Sequence, residues 1–210
     1  MSFVTDTAVF STAYLAPIEY FINIIKYDKI YIEKNENFIK QTFRNRFSIY
    51  SSNGLLSLTV PVKKINGNHT LIKDIKISYD TPWQQIHWKS LISAYNASPY
   101  FQYYKYDFEP FYNNKFNFLF DFNLQLLKLV FKLLNVEKEI LFFEKFEKNY
   151  PNTFDLRHIT NSKLKRDFQI QEYPQVFDDK YGFIPNLSIV DLLFNEGPNA
   201  LNYLQEQVRN

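Results

Sequence analysis

The hydrophobic pattern of this chain changes period every few residues, and each change marks an element. Val9–Leu15 (VFSTAYL) is a compact apolar run that predicts a buried strand closing at Ala16-Pro17. Ile18–Tyr27 sets Phe21, Ile24 and Ile25 on one side at helical spacing, and Lys29–Glu33 (KIYIE) alternates as a second strand. Strand, short loop, helix, strand is a βαβ unit. Ligands of open parallel sheets gather beyond the carboxyl ends of the strands. Tyr14, Pro17, Glu19 and Tyr20, with Glu33 and Asn35 after the next strand, therefore border the expected site. Phe47–Tyr50 and Leu55–Val60 are alternating runs joined through Asn53-Gly54, a strong hairpin signal, and Pro61 stops the second. Ile72–Ser78 alternates again as a strand.

The densest chemistry follows in Thr81–Tyr95 (TPWQQIHWKSLISAY). Thr81 as N-cap, Pro82 at the first position and Gln84 three residues after the cap predict a capping box. At helical spacing Trp83, Gln84, His87, Trp88, Leu91, Ile92 and Tyr95 share one arc, whereas Lys89 falls near the opposite side. His87 reads equally as a hydrogen-bonded core histidine or as a group opening into a cavity. Beyond Pro99, spacing predicts a helix over Tyr100–Phe108 interrupted at Pro110, a long helix over Phe118–Leu134 and a strand at Glu139–Phe143. Apolarity on most sides of the long helix predicts burial against two neighbours or a subunit contact in a homodimer.

Lys145–Lys180 is polar and irregular, and is expected as a surface excursion that carries Asp155, Arg157 and a basic stretch from Lys163 to Arg166. Ser188 and Asp191 form a second capping pair, Gly197 stops that helix, and Pro198 starts a terminal helix over Asn199–Gln207. The fold class that results is α/β: an N-terminal Rossmann-like βαβ unit with a β-hairpin, then a mainly helical C-terminal half. A single domain over 1–210 is expected, with the site in 1–115, a helical part in 116–210 and the excursion at 145–180.

Composition narrows the chemistry. The 22 Phe and 16 Tyr accompany heavy use of Asn, Lys and Ile, so aromatic richness by itself says little about base or sugar stacking. A formal net charge of +2 with no long basic run excludes the electrostatic footprint of a nucleic-acid partner. Cysteine is absent, and three His without an HExxH motif argue against a metal site. No cofactor is identifiable. The Leu124–Leu134 helix carries Lys128 and Lys132 and is too short for a membrane span, and no signal peptide is visible, so a cytoplasmic protein is expected.

Candidate ligand contacts cluster at element ends. In Gln41–Arg46 (QTFRNR), Arg44 and Arg46 are suited to clamp a phosphate or carboxylate bidentately, with Gln41 and Asn45 beside them; a solvated charge pair is the plainer reading. Six blocks run in the order seen in one family: Tyr14–Phe21 (YLAPIEYF), Gln41–Arg46, Leu58–Val62 (LTVPV), Trp83–Lys89 (WQQIHWK), Tyr95–Phe101 (YNASPYF) and Pro185–Pro198 (PNLSIVDLLFNEGP). On these blocks the chain resembles the WbqC-like proteins, associated with O-antigen and other surface-polysaccharide gene clusters. Two positions depart from the common pattern: Thr12-Ala13 stands where many members have Gln-Pro, and Glu19 where many have Gly. A weaker resemblance, to the nucleotidylyltransferase type of α/β fold, lacks the His-x-Gly-His of those proteins at Pro17–Tyr20.

The resemblance implies work on a nucleotide sugar or amino sugar. The expected enzyme transfers an acyl or aminoacyl group to such a small-molecule ligand. His87 would be the general base, Tyr14, Pro17, Tyr20, Gln84 and Trp88 would line the pocket, and Arg44, Arg46 and Lys89 would be anion contacts. The alternative is a non-catalytic scaffold for envelope polysaccharide synthesis. A Ser-His-Asp hydrolase is disfavoured, because no GxSxG occurs. The enzyme reading requires Tyr14, Arg44 and His87 to face one cavity.

Overall fold

The computed structural model describes residues 7–161 and 169–209. In chain order the first elements are β1 (Thr7–Ser11), α1 (Ile18–Ile25), β2 (Lys29–Glu33) and a hairpin of β3 (Arg46–Ser51) and β4 (Gly54–Thr59). A small antiparallel pair, β5 (Val62–Lys63) and β6 (Lys76–Ile77), precedes the helices α2 (Trp83–Tyr95), α3 (Phe101–Asn113) and α4 (Leu119–Leu133). Then come β7 (Glu139–Leu141), β8 (Phe154–Asp155), α5 (Asp178–Tyr181), α6 (Ile189–Glu196) and α7 (Ala200–Arg209).

The central sheet has four strands in the order β7-β2-β1-β8, all parallel. Ala8, Val9 and Phe10 of β1 are all buried, which is why this strand reads as a continuous apolar run. β1 ends at Ser11 rather than Leu15. Its partner β2 ends at Glu33, opposite Ser11, and the chain then turns away, with Tyr14 N donating to Phe43 O at 2.8 Å and Leu15 at φ 42°. The α/β class and the helical C-terminal half expected from the sequence are both present.

The starts of α1 and α6 are stitched together. Ile18 N donates to Leu187 O at 3.0 Å, and Ile189 N donates to Ala16 O at 2.9 Å. The Ser188 hydroxyl adds a bond to Leu15 O at 2.6 Å. Backbone donors that a helix start leaves without partners are thus met by residues about 170 positions away in sequence.

Other expectations change. Ile72–Ser78 is not one strand: Ile72–Asp74 is a 3-10 turn and only Lys76–Ile77 pairs, as β6. Thr81 and Gln84 form no capping box, since the cap of α2 has no side-chain hydrogen bond. Gln84 donates instead to Phe111 O at 3.0 Å and Asn114 O at 2.6 Å, the otherwise unpaired carbonyls at the end of α3. In the second pair Ser188 does cap α6, its Oγ accepting from Val190 N at 3.5 Å, but Asp191 does not complete the box. It is fully buried and accepts from Tyr95 Oη at 2.7 Å, Tyr173 Oη at 2.6 Å and Gln175 Nε2 at 3.0 Å. Pro110 does not interrupt α3, which runs on to Asn113. The carbonyl deprived of a donor belongs to the exposed Tyr106, where water can replace it.

The excursion also holds more order than its composition suggests. Its Phe154–Asp155 pairs with Ala8–Val9 as the fourth strand, too short to leave an alternation signal. The basic stretch Lys163–Arg166 lies outside the described residues. The apolar sides of α4 are covered within the chain, and its solvent side is the polar stripe Asp121, Gln125, Lys128 and Lys132.

Gly197, which follows α6, has φ 54°, and a Cβ there would lie 2.4 Å from the Tyr100 ring. Gly197→Ala is expected to cost about 2–4 kcal/mol, from left-handed strain plus a displaced ring. Gly54 at the hairpin turn also has positive φ but open space around it, so Gly54→Ala should cost only about 1 kcal/mol. Urea denaturation compares them; equal losses would show that the Tyr100 ring yields freely.

Candidate functional site

Beyond the carboxyl ends of β1, β2 and β8 lies a cleft of about 620 Å³, bordered by Glu36, Arg44, Phe146 and Arg157. The chain leaves β1 for β2 on one side, whereas β8 enters on the other. Such a reversal opens a crevice at the strand ends, where α/β proteins bind ligands.

The floor of the cleft is a buried ion pair. Arg44 is 3% exposed and grips Glu36 with two parallel bonds, Nε to Oε1 at 2.9 Å and Nη2 to Oε2 at 2.7 Å. Its Nη2 also donates to Ser11 Oγ at 2.7 Å, tying the pair to the end of β1. Asn123 of α4 donates to Arg44 O at 2.8 Å. Tyr20 donates to Ser11 O at 2.9 Å, and burial, then the nearby Glu36, raises its hydroxyl pKa against the opposing pull of Arg44.

The far wall grows from β8 and the loop before it. Glu33, wholly buried at the end of β2, accepts from Asn35 N at 2.7 Å and from the Tyr150 hydroxyl. Burial first, and then that bond, pushes the Tyr150 pKa up to about 12. Arg157 pairs with Asp155 through bonds of 2.9 and 2.5 Å. Asn37, His158, Asn161 and the half-exposed Ile39 and Phe146 complete the lining. Glu33, Asn35, Asp155 and Arg157 stood out in the sequence; Glu36, Phe146 and His158 did not. Position just past a strand end was the one available signal for Glu36. The shortness of β8 hid the rest.

The two arginines expected to act as one clamp are separated by the tight turn over Thr42–Asn45, where Asn45 N reaches Thr42 O at 3.4 Å. Arg44 serves Glu36. Arg46 donates to Thr59 Oγ1 at 3.0 Å and lines a second cavity, of about 390 Å³, together with Pro17. Asn45 donates to Val60 O at 2.9 Å, and Gln41 is an exposed turn residue at φ 58°. Lys89 lines a separate groove near the hairpin tip.

His87 is 3% exposed and lines neither cavity. Its Nδ1 lies 3.0 Å from Tyr14 Oη, which lies 3.1 Å from Tyr112 Oη. The imidazole also bonds the Thr59 carbonyl. A carbonyl only accepts, so the nitrogen facing it carries the hydrogen, and Nδ1 is left to accept from Tyr14. The donor direction is then Tyr112 to Tyr14 to His87. The rings of Trp83 and Phe47 close around the imidazole at 5.1 and 6.0 Å, and Trp88 stacks on Tyr112 at 5.4 Å. Burial drives the His87 pKa down to about 4, opposed by the Thr59 bond. Tyr14 and His87 thus meet as expected, but in the core, and neither lines the cleft that Arg44 borders.

A parallel α/β sheet with a cleft of mixed polar and apolar lining at its carboxyl edge defines the class of protein. The profile of the WbqC-like protein family matches residues 12–163 and 151–203, and the chain belongs to this family. It is similar to the "Uncharacterized protein Rv1507c" of Mycobacterium tuberculosis (strain ATCC 25618 / H37Rv), at 27% identity over 224 residues covering 94% of this chain and 96% of that protein. No solved structure matches the chain. No helix among the described residues is long and apolar enough to cross a membrane.

Removing one member of a buried ion pair strands the other charge, whereas replacing both is nearly neutral. Arg44→Met is expected to cost about 3–5 kcal/mol, and adding Glu36→Leu should recover most of that loss. Chemical denaturation measures both; a double variant no better than the single would show that the pair does not act as a unit.

His87 and Asp191 set opposing pH slopes. With its pKa lowered to about 4, His87 makes the unfolded chain the better proton binder between there and its ordinary 6.5, so its contribution is lost as pH falls through that window. The Asp191 carboxyl, raised to about 6 by burial against the bonds from Tyr173, Tyr95 and Gln175, contributes stability that is lost as pH rises from about 4 to 6. The two nearly cancel between pH ~4 and ~6. Relative to wild type, Asp191→Asn should grow less stable as pH falls through this range, and His87→Gln should grow less stable as it rises. Urea midpoints from pH ~4 to ~8 read both differences, and parallel pH curves for all three proteins would refute the assignment.

Proposed function

We propose that this protein transfers an acyl or aminoacyl group to the amine of an amino sugar or nucleotide sugar used in surface polysaccharide. With His87 buried away from Arg44, the centre expected around it does not form, and the observation that carries the reading is instead the mixed lining of the separate cleft. Hydrogen-bonding groups (Thr42, Asn37, Asn161, His158) and the paired charges of Glu36, Arg44 and Arg157 share it with the apolar surfaces of Ile39 and Phe146. A sugar has the same two-sided character, hydroxyls at its rim and C–H groups on its faces. The volume of about 620 Å³ suits a small-molecule ligand. Family membership points to the same substrates through the association of WbqC-like proteins with polysaccharide gene clusters.

In the proposed reaction the amine nitrogen attacks the carbonyl carbon of an activated acyl donor. The new C–N bond forms, the bond to the donor's leaving group breaks, and the nitrogen gives up one proton. His158, on the cleft wall, accepts that proton. His87 keeps a positioning role, because one ring nitrogen faces Thr59 O and the other Tyr14 Oη. A second reading, a non-catalytic scaffold, draws support from Tyr103 and Tyr106 of α3, which are 76% and 67% exposed.

His158→Ala should lower turnover about 10²–10⁴-fold in a transfer assay with nucleotide amino sugars and acyl donors, with the melting temperature unchanged. An undiminished rate would remove His158 from the chemistry. If none of these compounds raises the melting midpoint of the wild type, the scaffold reading prevails.

A further inference from the structure

The loop of residues 142–150, which contributes Phe146 to the cleft, is gripped by the Arg157 side chain. The Arg157 guanidinium lies over the rings of Phe146 and Tyr150, 5.1 and 5.2 Å from their centres. It also donates to two carbonyls of the same loop, Glu147 O at 3.1 Å and Lys148 O at 2.8 Å. Asp155 holds the guanidinium from the β8 side. Behind it, Phe143 is stacked between Tyr150 at 3.7 Å and Tyr31 of β2 at 3.9 Å, and the Tyr150 hydroxyl is anchored on Glu33. The loop is therefore tied to two strands of the central sheet.

Phe146 stands out against this framework. It is 49% exposed, yet Arg157 backs its ring and the ring lines the cleft. Exposure alone would be ordinary; what sets this ring apart is that Arg157 holds one side of it while it lines the cleft. Across the same cleft, Ile39 is 53% exposed. Beside these apolar faces stand the side-chain amides of Asn37 and Asn161, while the guanidiniums of Arg44 and Arg157 in the same lining are engaged by Glu36 and Asp155. An apolar plate with amide donors and acceptors at its edge fits a saturated ring better than it fits a phosphate.

We propose that Phe146 is the platform on which the C–H face of the ligand's sugar ring rests, and that Arg157 positions it. The proposal rests on the reading of the cleft as an amino-sugar site and adds the residue that selects the sugar. An aromatic face attracts the weakly positive C–H groups of that ring and rejects sugars whose hydroxyls project onto it. The platform needs no rearrangement on binding, since its backing is already in place.

The test is calorimetric titration with UDP-glucosamine and with UDP alone. Phe146→Ala should weaken UDP-glucosamine about tenfold and leave UDP unchanged. Phe146→Trp should keep the sugar affinity, and its added emission should shift with UDP-glucosamine but not with UDP. Arg157→Lys should weaken the sugar complex in the Phe146 background and add nothing once Phe146 is Ala, a coupling that general destabilisation would not produce. Equal affinity of wild type and Phe146→Ala for UDP-glucosamine overturns the platform and leaves the cleft reading standing. Loss of UDP binding in Phe146→Ala would mean that the ring carries the base, which also overturns it. A wild type that binds no UDP-glucosamine overturns the platform and the cleft reading together.

Discussion

The architecture of the cleft turns on the buried pairing of Arg44 with Glu36. Neither charge could stand alone at that depth. Coulombic attraction and two parallel hydrogen bonds offset the cost of removing both from water, with little net gain. What the pair provides is position. Glu36 belongs to the segment after β2, Ser11 to the end of β1, and Asn123 to α4, and all three meet on Arg44. A guanidinium donates along fixed directions in one plane, so these segments are set at defined angles around it. The strand ends, which diverge in any twisted sheet, are thereby given a common floor.

A second polar centre, Asp191, does comparable work on the helical side. Its carboxylate collects the hydroxyls of Tyr95 and Tyr173 and the amide of Gln175, binding the end of α2 and the segment before α5 to α6. His87 does the same between α2, the turn after β1 and α3. In both cases a side chain whose spacing suggested a cap or a pocket role is consumed in fixing one element against another. Besides Arg44 and Arg157, whose guanidiniums are engaged by carboxylates, the cleft presents an exposed Phe, two Asn and a histidine that drew no notice by type alone.

Much of the fold was legible because local patterns and tertiary structure agreed. KIYIE became β2 over the expected residues, Asn-Gly turned the hairpin, and the α/β class followed from βαβ spacing. The failures share one cause. Thr81-Gln84 and Ser188-Asp191 have the spacing of capping boxes, but Gln84 and Asp191 found stronger partners far along the chain. Local spacing cannot report such competition. The site was half legible for the same reason. The carboxyl-end rule reached Glu33 and Asn35, whereas β8, two residues long, gave no periodic signal and concealed the wall that carries Phe146 and His158.

The reciprocal stitching of residues 16–18 to residues 187–189 has a bearing on biosynthesis. The βαβ unit is made first, yet the start of α1 acquires its backbone partners only when α6 emerges from the ribosome. Until then the nascent chain keeps an apolar helix without its cover, and α7, which also packs on α1, arrives later still. Contacts of such long sequence separation form slowly. The N-terminal half thus takes its final cover only from the C-terminal one.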